Sequence, residues 1–340
     1  MISAERISTA RTTLNVLSVP GTAGDPVLFI HGNVSSSTFW RPTMAALAES
    51  PDTGGLRPLA VDLRGFGESD PAPVDATRGL RDYSDDILAL LDVIGPAHLV
   101  GWSMGGGVVL QALRDRPEAI RSATLVNPVS PYGFGGTTGP DGVLTHPDGT
   151  GSGGGTVTDF VEALRAGDRS ADSPLSPRSV LRTAYVVPGT DLGEDEDAYV
   201  ESMLSTRLGE DHYPGDSVAT TAWPGVAPGK RGVLNTMAPT YFRIDDLHTI
   251  DPKPPILWIR GTEDVIVSDT SLFDLAHLGA IGALLGWDGT PAQPMVTQTR
   301  AVLDRYGNYR EVAIPGSGHS PHVEKPAEFR AALVAHLCEA

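Results

Sequence analysis

The stretch "LVGWSMGGGVVL" (Leu99–Leu110) sets one serine, Ser103, among four glycines directly behind a short apolar run. A glycine-rich turn of this kind can be an elbow that presents a nucleophile, a cradle for phosphate, or a bend where small residues simply pack. The phosphate reading fails on residue type. A Walker loop needs Gly-Lys followed by Ser or Thr, and the Gly-Lys of "PGKRG" (228–232) runs into arginine. The dinucleotide fingerprint G-x-G-x-x-G is also missing from the first strand turn. What remains is G-x-S-x-G, with a strand before Ser103 and a helix after it. That context exposes the serine and aims the N–H groups of the following helix at the reaction centre.

Working outward, short apolar runs alternate with helix-period segments, as in a parallel sheet covered by helices. "PVLFIHG" (26–32), "LRPLAVDLRGFG" (56–67), "AHLVGW" (97–102) and "SATLVNPV" (122–129) predict strands. Helices are predicted over 37–50, 82–95 and 105–117; in the second, Ile87, Leu90, Leu91 and Ile94 share one face. The alternation breaks at Ser130 and resumes with "PPILWIRG" (254–261), "YREVAIPGSGH" (309–319) and a terminal amphipathic helix over 325–337. Structureless stretches of this length are uncommon inside a compact domain. The expected division is therefore a first core part over 1–129, an inserted cap or lid over 130–250, and a second core part over 251–340. Within the cap, the glycine-rich passage 133–155 is either a mobile approach to the site or a disordered linker.

The chain has 340 residues, 40% apolar and 20% charged, enough for one large α/β domain with an insertion. A formal charge of −17 argues against nucleic acid and anionic membrane as partners. One cysteine, Cys338, excludes an internal disulfide and a cysteine-rich metal site. Residues 1–21 lack a basic segment followed by an apolar block, and no run of about 18 apolar residues occurs. The expected location is the cytoplasm, and the "NVS" sequon at Asn33 is expected to go unused.

A serine hydroxyl is a weak nucleophile until a base takes its proton. Of nine histidines, His319 in "IPGSGHSPHVEKP" lies between the last predicted strand and the terminal helix. His322 is its rival three residues on; glycines 316 and 318 give the loop of His319 freedom to reach the serine. The acid that orients the imidazole is sought past a strand end. "ILWIRGTEDVIVSD" offers Glu263, Asp264 and Asp269, and Asp264 lies in the turn at the sheet edge where Ser103 emerges. Asp269 reads as a helix cap and Glu263 as a solvated neighbour.

The order Ser103, Asp264, His319 resembles that of the α/β-hydrolase fold, and the likeness extends nearly end to end. "HGN" (31–33) looks like its oxyanion-loop motif, "DLRGFGESD" (62–70) its next strand-turn signature, and "GHSPHVEKPAEF" (318–329) its histidine loop. The resemblance implies an oxyanion hole from the backbone N–H groups of Asn33 and Met104. It also implies structural roles for His31 and Asp62. Some members carry the acid after the strand that follows the elbow helix; "LVNPVSP" offers only Asn127 there. Dehalogenases and epoxide hydrolases of this fold use an aspartate at the elbow, which Ser103 disfavours.

The function expected is hydrolysis of a small-molecule carboxylic ester or lactone through an acyl-enzyme, with no cofactor and no metal. A C–C bond hydrolase and a cofactor-free perhydrolase would share the triad; a non-catalytic ligand receptor is the reading from outside enzymology. Phe134, Tyr185, Trp223, Tyr241 and Phe242 are candidate pocket residues, and 282–308 either borders the pocket or makes a contact between subunits of a homo-oligomer.

Overall fold

The apolar runs become strands of one sheet in the computed structural model, which describes residues 2–50, 55–154 and 158–339. The strands are β1 (Ser3–Ser8), β2 (Thr13–Ser18), β3 (Asp25–Ile30), β4 (Leu56–Val61), β5 (Ala97–Trp102), β6 (Ile120–Val126), β7 (Ile256–Gly261) and β8 (Tyr309–Ile314). They lie in the order β1-β2-β4-β3-β5-β6-β7-β8. Only the pairings of β2 are antiparallel; every pairing from β4 to β8 is parallel. The central strands are covered on both faces, so β5 is buried at every residue. Register aligns Trp102 with Val126 and Val126 with Ile259, while Gly261 pairs with Ile314. The ends of β5, β6, β7 and β8 therefore open onto one edge. Here the chain is an α/β fold with a mostly parallel central sheet, as expected.

Helices α1 (Arg41–Glu49), α2 (Arg81–Ile94) and α3 (Met104–Asp115) follow β3, β4 and β5. Ile87, Leu90 and Leu91 bury the predicted face of α2. The same helix also buries Asp82 and Asp86, because Arg64 from the turn after β4 lies beneath it. Arg64 meets both carboxylate oxygens of Asp86 at 2.6 Å, a bidentate pair that compensates the desolvation of both charges.

The hairpin β1–β2 is an addition to the sequence reading. All but one residue of β1 are exposed, so it has no apolar alternation to betray a strand. Its backbone pairing with β2 places it at the sheet edge.

Between β6 and β7 the described residues add no strand to the main sheet. Instead it forms α4 (Thr158–Ala166), the single turn α5 (Pro177–Val180) continued by a wide turn at Leu181–Tyr185, and α6 (Glu196–Leu204). Residues 133–154 of the glycine-rich passage are held by buried amides. Gln293 accepts from Gly135 N–H and donates to the Gly133 carbonyl, while Gln298 donates to Thr137 Oγ1 and the Gly139 carbonyl. Residue 155 lies outside the described residues. After β7 come α7 (Leu275–Ala280), α8 (Met295–Tyr306), the turn α9 (Pro321–Glu324) and α10 (Pro326–Glu339).

Candidate active site

Ser103 occupies a one-residue break between β5 and α3, with φ 57° and ψ −121°. Positive φ costs a non-glycine residue on the order of 1–3 kcal/mol, and surrounding bonds must hold it. They do: Ser103 N–H donates to the Val126 carbonyl at 2.9 Å, and its own carbonyl accepts from Gly106 and Val129 N–H at 2.9 and 3.0 Å. The flanking glycines are required by proximity. A Cβ at Gly101 would lie 2.3 Å from the Gly105 carbonyl oxygen, and one at Gly105 would lie 2.5 Å from the carbonyl oxygens of Ile30 and His31. The elbow can form only with bare backbone at both positions.

His319 is fixed at three levels. Its carbonyl accepts from Trp102 Nε1 at 2.7 Å and from Asn127 Nδ2 at 2.9 Å. Its loop is held by Glu324, whose carboxylate accepts from the N–H groups of Gly318 and Ser320. Its ring Nδ1 lies 2.9 Å from Asp264 Oδ2, with both side chains 2% exposed. Asp264 uses its other oxygen to accept from Ile266 and Val267 N–H at 2.8 and 3.0 Å. A carboxylate cannot donate, so in the neutral imidazole Nδ1 carries the proton and Nε2 keeps the lone pair. The histidine loop is thus anchored, not loosened, despite its glycines.

Ser103 and His319 line one cavity, yet no hydrogen bond joins them among the described residues. Such contacts commonly tighten only when substrate binds.

The rivals go elsewhere. Asp269 accepts from Val296 and Thr297 N–H and from Thr297 Oγ1, capping the start of α8. Glu263 is exposed. His322 is buried face to face with Trp40 at 4.2 Å between ring centres and edge-on to Trp102. Neither of its ring nitrogens has a hydrogen-bond partner among the described residues. Burial, with His319 adding a smaller effect, pulls its pKa down to about 3. His98 likewise drops to about 4, chiefly by burial, and bonds Ser122.

Asn33 is part of the cavity wall, and Met104 is the first residue of α3 beside it. No protein acceptor takes the N–H of either residue among the described residues. His31 accepts from Leu63 N–H at Nε2, which makes Nδ1 the donor to the Gly32 carbonyl at 2.7 Å. Asp62 accepts from Ser37 N–H, Glu68 N–H and Asn15 Nδ2. Both therefore hold turns around the site.

Three sets of contacts escape a sequence reading. Asn127 receives the Gly261 N–H on Oδ1 while donating to Gly318 and His319, tying three strand ends together. Glu324 also accepts from Val187 N–H, joining the histidine loop to the segment after α5. Tyr185 donates to the Asn33 carbonyl at 2.8 Å. Glu324 stands in the quoted histidine motif and Asn127 after a strand, but their partners are distant in sequence.

The cavity holds about 740 Å³. Phe134, Tyr185 and Trp223 line it, as do Leu284 and Leu285, so 282–308 does border the pocket. Tyr241 and Phe242 do not; Phe242 is buried near Gly107 and the Tyr241 carbonyl sits against Gly79. Among the described residues no group of three or more His, Cys, Asp or Glu is placed to hold a metal ion, and no helix is long and apolar enough to cross a membrane.

Comparison with known proteins places the chain in a family and agrees with the fold. Residues 27–332 match the sequence model of a family described as "Alpha/beta hydrolase family". A protein of Variovorax paradoxus (strain S110) named "Putative carbamate hydrolase RutD" is 40% identical over 106 residues, 31% of this chain and 38% of that protein. The 2-hydroxymuconate semialdehyde hydrolase of Pseudomonas sp. (strain CF600) is 37% identical over 109 residues, 31% of this chain and 36% of that protein. The aligned stretches thus span well under half of these curated relatives. Among solved structures, carboxylesterase CesB of Bacillus subtilis superposes with a TM-score of 0.62 at 16% identity, covering 100% of this chain and 93% of that one. A bromoperoxidase from Bacillus anthracis gives 0.65 at 19% identity, covering 98% and 99%. At such identities the superpositions speak for the fold alone.

Proposed function

The chain belongs to the alpha/beta hydrolase family, and on that footing we propose that it is a serine hydrolase cleaving a carboxylic ester or lactone through an acyl-enzyme on Ser103. One observation carries the reading. His319, paired with the buried Asp264, lines the same cavity as a serine held at positive φ on a strand-to-helix elbow.

The chemistry follows from the arrangement. His319 Nε2 takes the Ser103 hydroxyl proton as Oγ attacks the carbonyl carbon of the substrate. Negative charge moves to the carbonyl oxygen, where the N–H groups of Asn33 and Met104 stabilise it; one such donor is worth about 3 kcal/mol in the transition state. Asp264 holds the Nδ1 proton and favours the imidazolium. The imidazolium then gives its proton to the leaving alkoxide, which departs and leaves the acyl group on Oγ. Water, deprotonated by His319, attacks that ester and restores Ser103. Residues 130–250 act as the cap in this reading, closing the cavity with Tyr185 and Phe134 and limiting water at the serine.

A fluorophosphonate should label Ser103, and p-nitrophenyl butyrate should be turned over. Ser103→Ala should abolish labelling and lower kcat by about 10^4-fold or more. Labelling that persists in the variant overturns the assignment.

A further inference from the structure

Two features of the cavity narrow what can reach Ser103. The first concerns charge. No lysine or arginine is among the described residues that line it; besides His319 and two buried tyrosines that stay neutral, Tyr185 and Tyr213, the ionisable side chain there is an acid, Asp159. A carboxylate brought into this space would lose its hydration and find no countercharge, which is strongly unfavourable. The net charge of −17 repels it on approach as well.

The second feature is an apolar rim continuous with the cavity. Leu175, Phe273 and Leu285 belong to the cavity wall, yet they are 42%, 42% and 94% exposed. The rim is built and not a stray surface leucine. The Leu285 carbonyl accepts from Trp223 Nε1 at 3.2 Å, so the chain before α8 is tied to the segment after α6. Gly279 of α7 lies under the same contact: a Cβ there would be 2.5 Å from Trp287 Cδ1 and 3.0 Å from the Trp223 ring. The apolar path thus runs from the serine outward, ending on side chains that water now covers.

We propose that the site selects an uncharged, extended apolar ester whose far chain lies on the Leu175–Phe273–Leu285 rim, and that it rejects esters bearing a carboxylate on that chain. This rests on the serine-hydrolase reading for its chemistry and on the cavity wall alone for its selectivity. The cavity of about 740 Å³ falls in the range of sites for sizeable ligands, far beyond an acetyl group. Each methylene moved from water onto the rim should improve binding by about 4-fold where contact is complete.

The test compares methyl butyrate, methyl decanoate, decyl acetate, dimethyl sebacate and monomethyl sebacate with the full chain. One of the two ten-carbon monoesters should exceed methyl butyrate at least 10-fold in kcat/KM. Monomethyl sebacate should fall about 100-fold or more below dimethyl sebacate, with the loss in KM. Leu285→Ser, a surface change, should lower the ratio of ten-carbon to butyrate turnover. Calorimetry of the two sebacates on Ser103→Ala reads the same selectivity without chemistry. Sebacates that differ by less than 3-fold in both assays overturn the inference. Selective binding by Ser103→Ala, with no ester turned over by the intact chain, would instead sink the hydrolase reading and leave the selectivity standing.

Discussion

On the sheet side of the cavity, Ser103, Asp264 and His319 sit at strand ends, each pinned by hydrogen bonds of 2.7–3.0 Å to backbone or buried side chains. Elsewhere on the cavity wall, Phe134, Phe160, Leu234, Met237 and Leu284 present apolar surface. The first wall is placed by directional bonds, which fix atoms in position. The second is placed by packing, which fixes a shape and excludes charge without orienting anything. Changes on the sheet side should alter rate; changes on the apolar wall should alter which molecule is turned over.

The largest break in that comparison is at the proposed acid. Asp264→Asn removes the charge that steadies the His319 imidazolium and disturbs the tautomer, and kcat should fall by about 10^4-fold. Asp269→Asn, five residues on, should leave kcat intact and cost roughly 1 kcal/mol of stability in a denaturant titration, because its carboxylate serves α8. Swapped outcomes would place the acid at Asp269.

The sheet side is also the wall most legible in the sequence. Ser103 is announced by glycines that the elbow needs at positions 101 and 105, and Asp264 and His319 by their places just past strands β7 and β8. Those signals are local, since strand, turn and side chain lie within a few residues of one another. The bonds that align the site are not local. Asn127 meets His319 across 192 positions, Tyr185 meets Asn33 across 152, and Glu324 meets Val187 across 137. Nothing near Tyr185 in the chain hints at the Asn33 carbonyl. The apolar wall is obscure for another reason: apart from α4, much of it comes from glycine turns and single helical turns, which carry no period of 2 or 3.6. Edge strand β1 shares that fault, being exposed almost throughout.

A middle-sized effect separates the two histidines of one loop. His319 has a carboxylate partner; His322, in its aromatic nest, has none among the described residues, and burial holds its pKa down at about 3. The unfolded chain binds that proton near pH 6.5, so between those values it holds more protons than the folded chain. Stability should therefore fall with acid by about 1.4 kcal/mol per pH unit on account of His322, from pH 6 toward pH 3. His322→Phe keeps the stack on Trp40 and should remove that share of the slope. Denaturant midpoints at pH 7 and pH 4.5 would show it: the variant loses less than the wild type, and equal losses would mean that His322 does not stay neutral.

The smallest effect probes the polar thread between the walls. Tyr185 belongs to the packed side, yet its hydroxyl donates to the Asn33 carbonyl on the proposed oxyanion loop. Burial pushes its phenol well above the usual tyrosine range, so it remains a donor at every working pH. Val34, next in the loop, has φ 44°, a conformation that an unanchored valine rarely holds. Tyr185→Phe keeps the ring against Trp102 and removes only the bond. A net loss of about 1 kcal/mol in aligning the loop predicts a kcat about 5-fold lower with KM little changed, because the oxyanion forms only in the transition state. A change in KM with constant kcat would mean that Tyr185 serves the apolar wall alone. The loop at Asn33 would then stand on its own turn, and the two walls would be energetically separate.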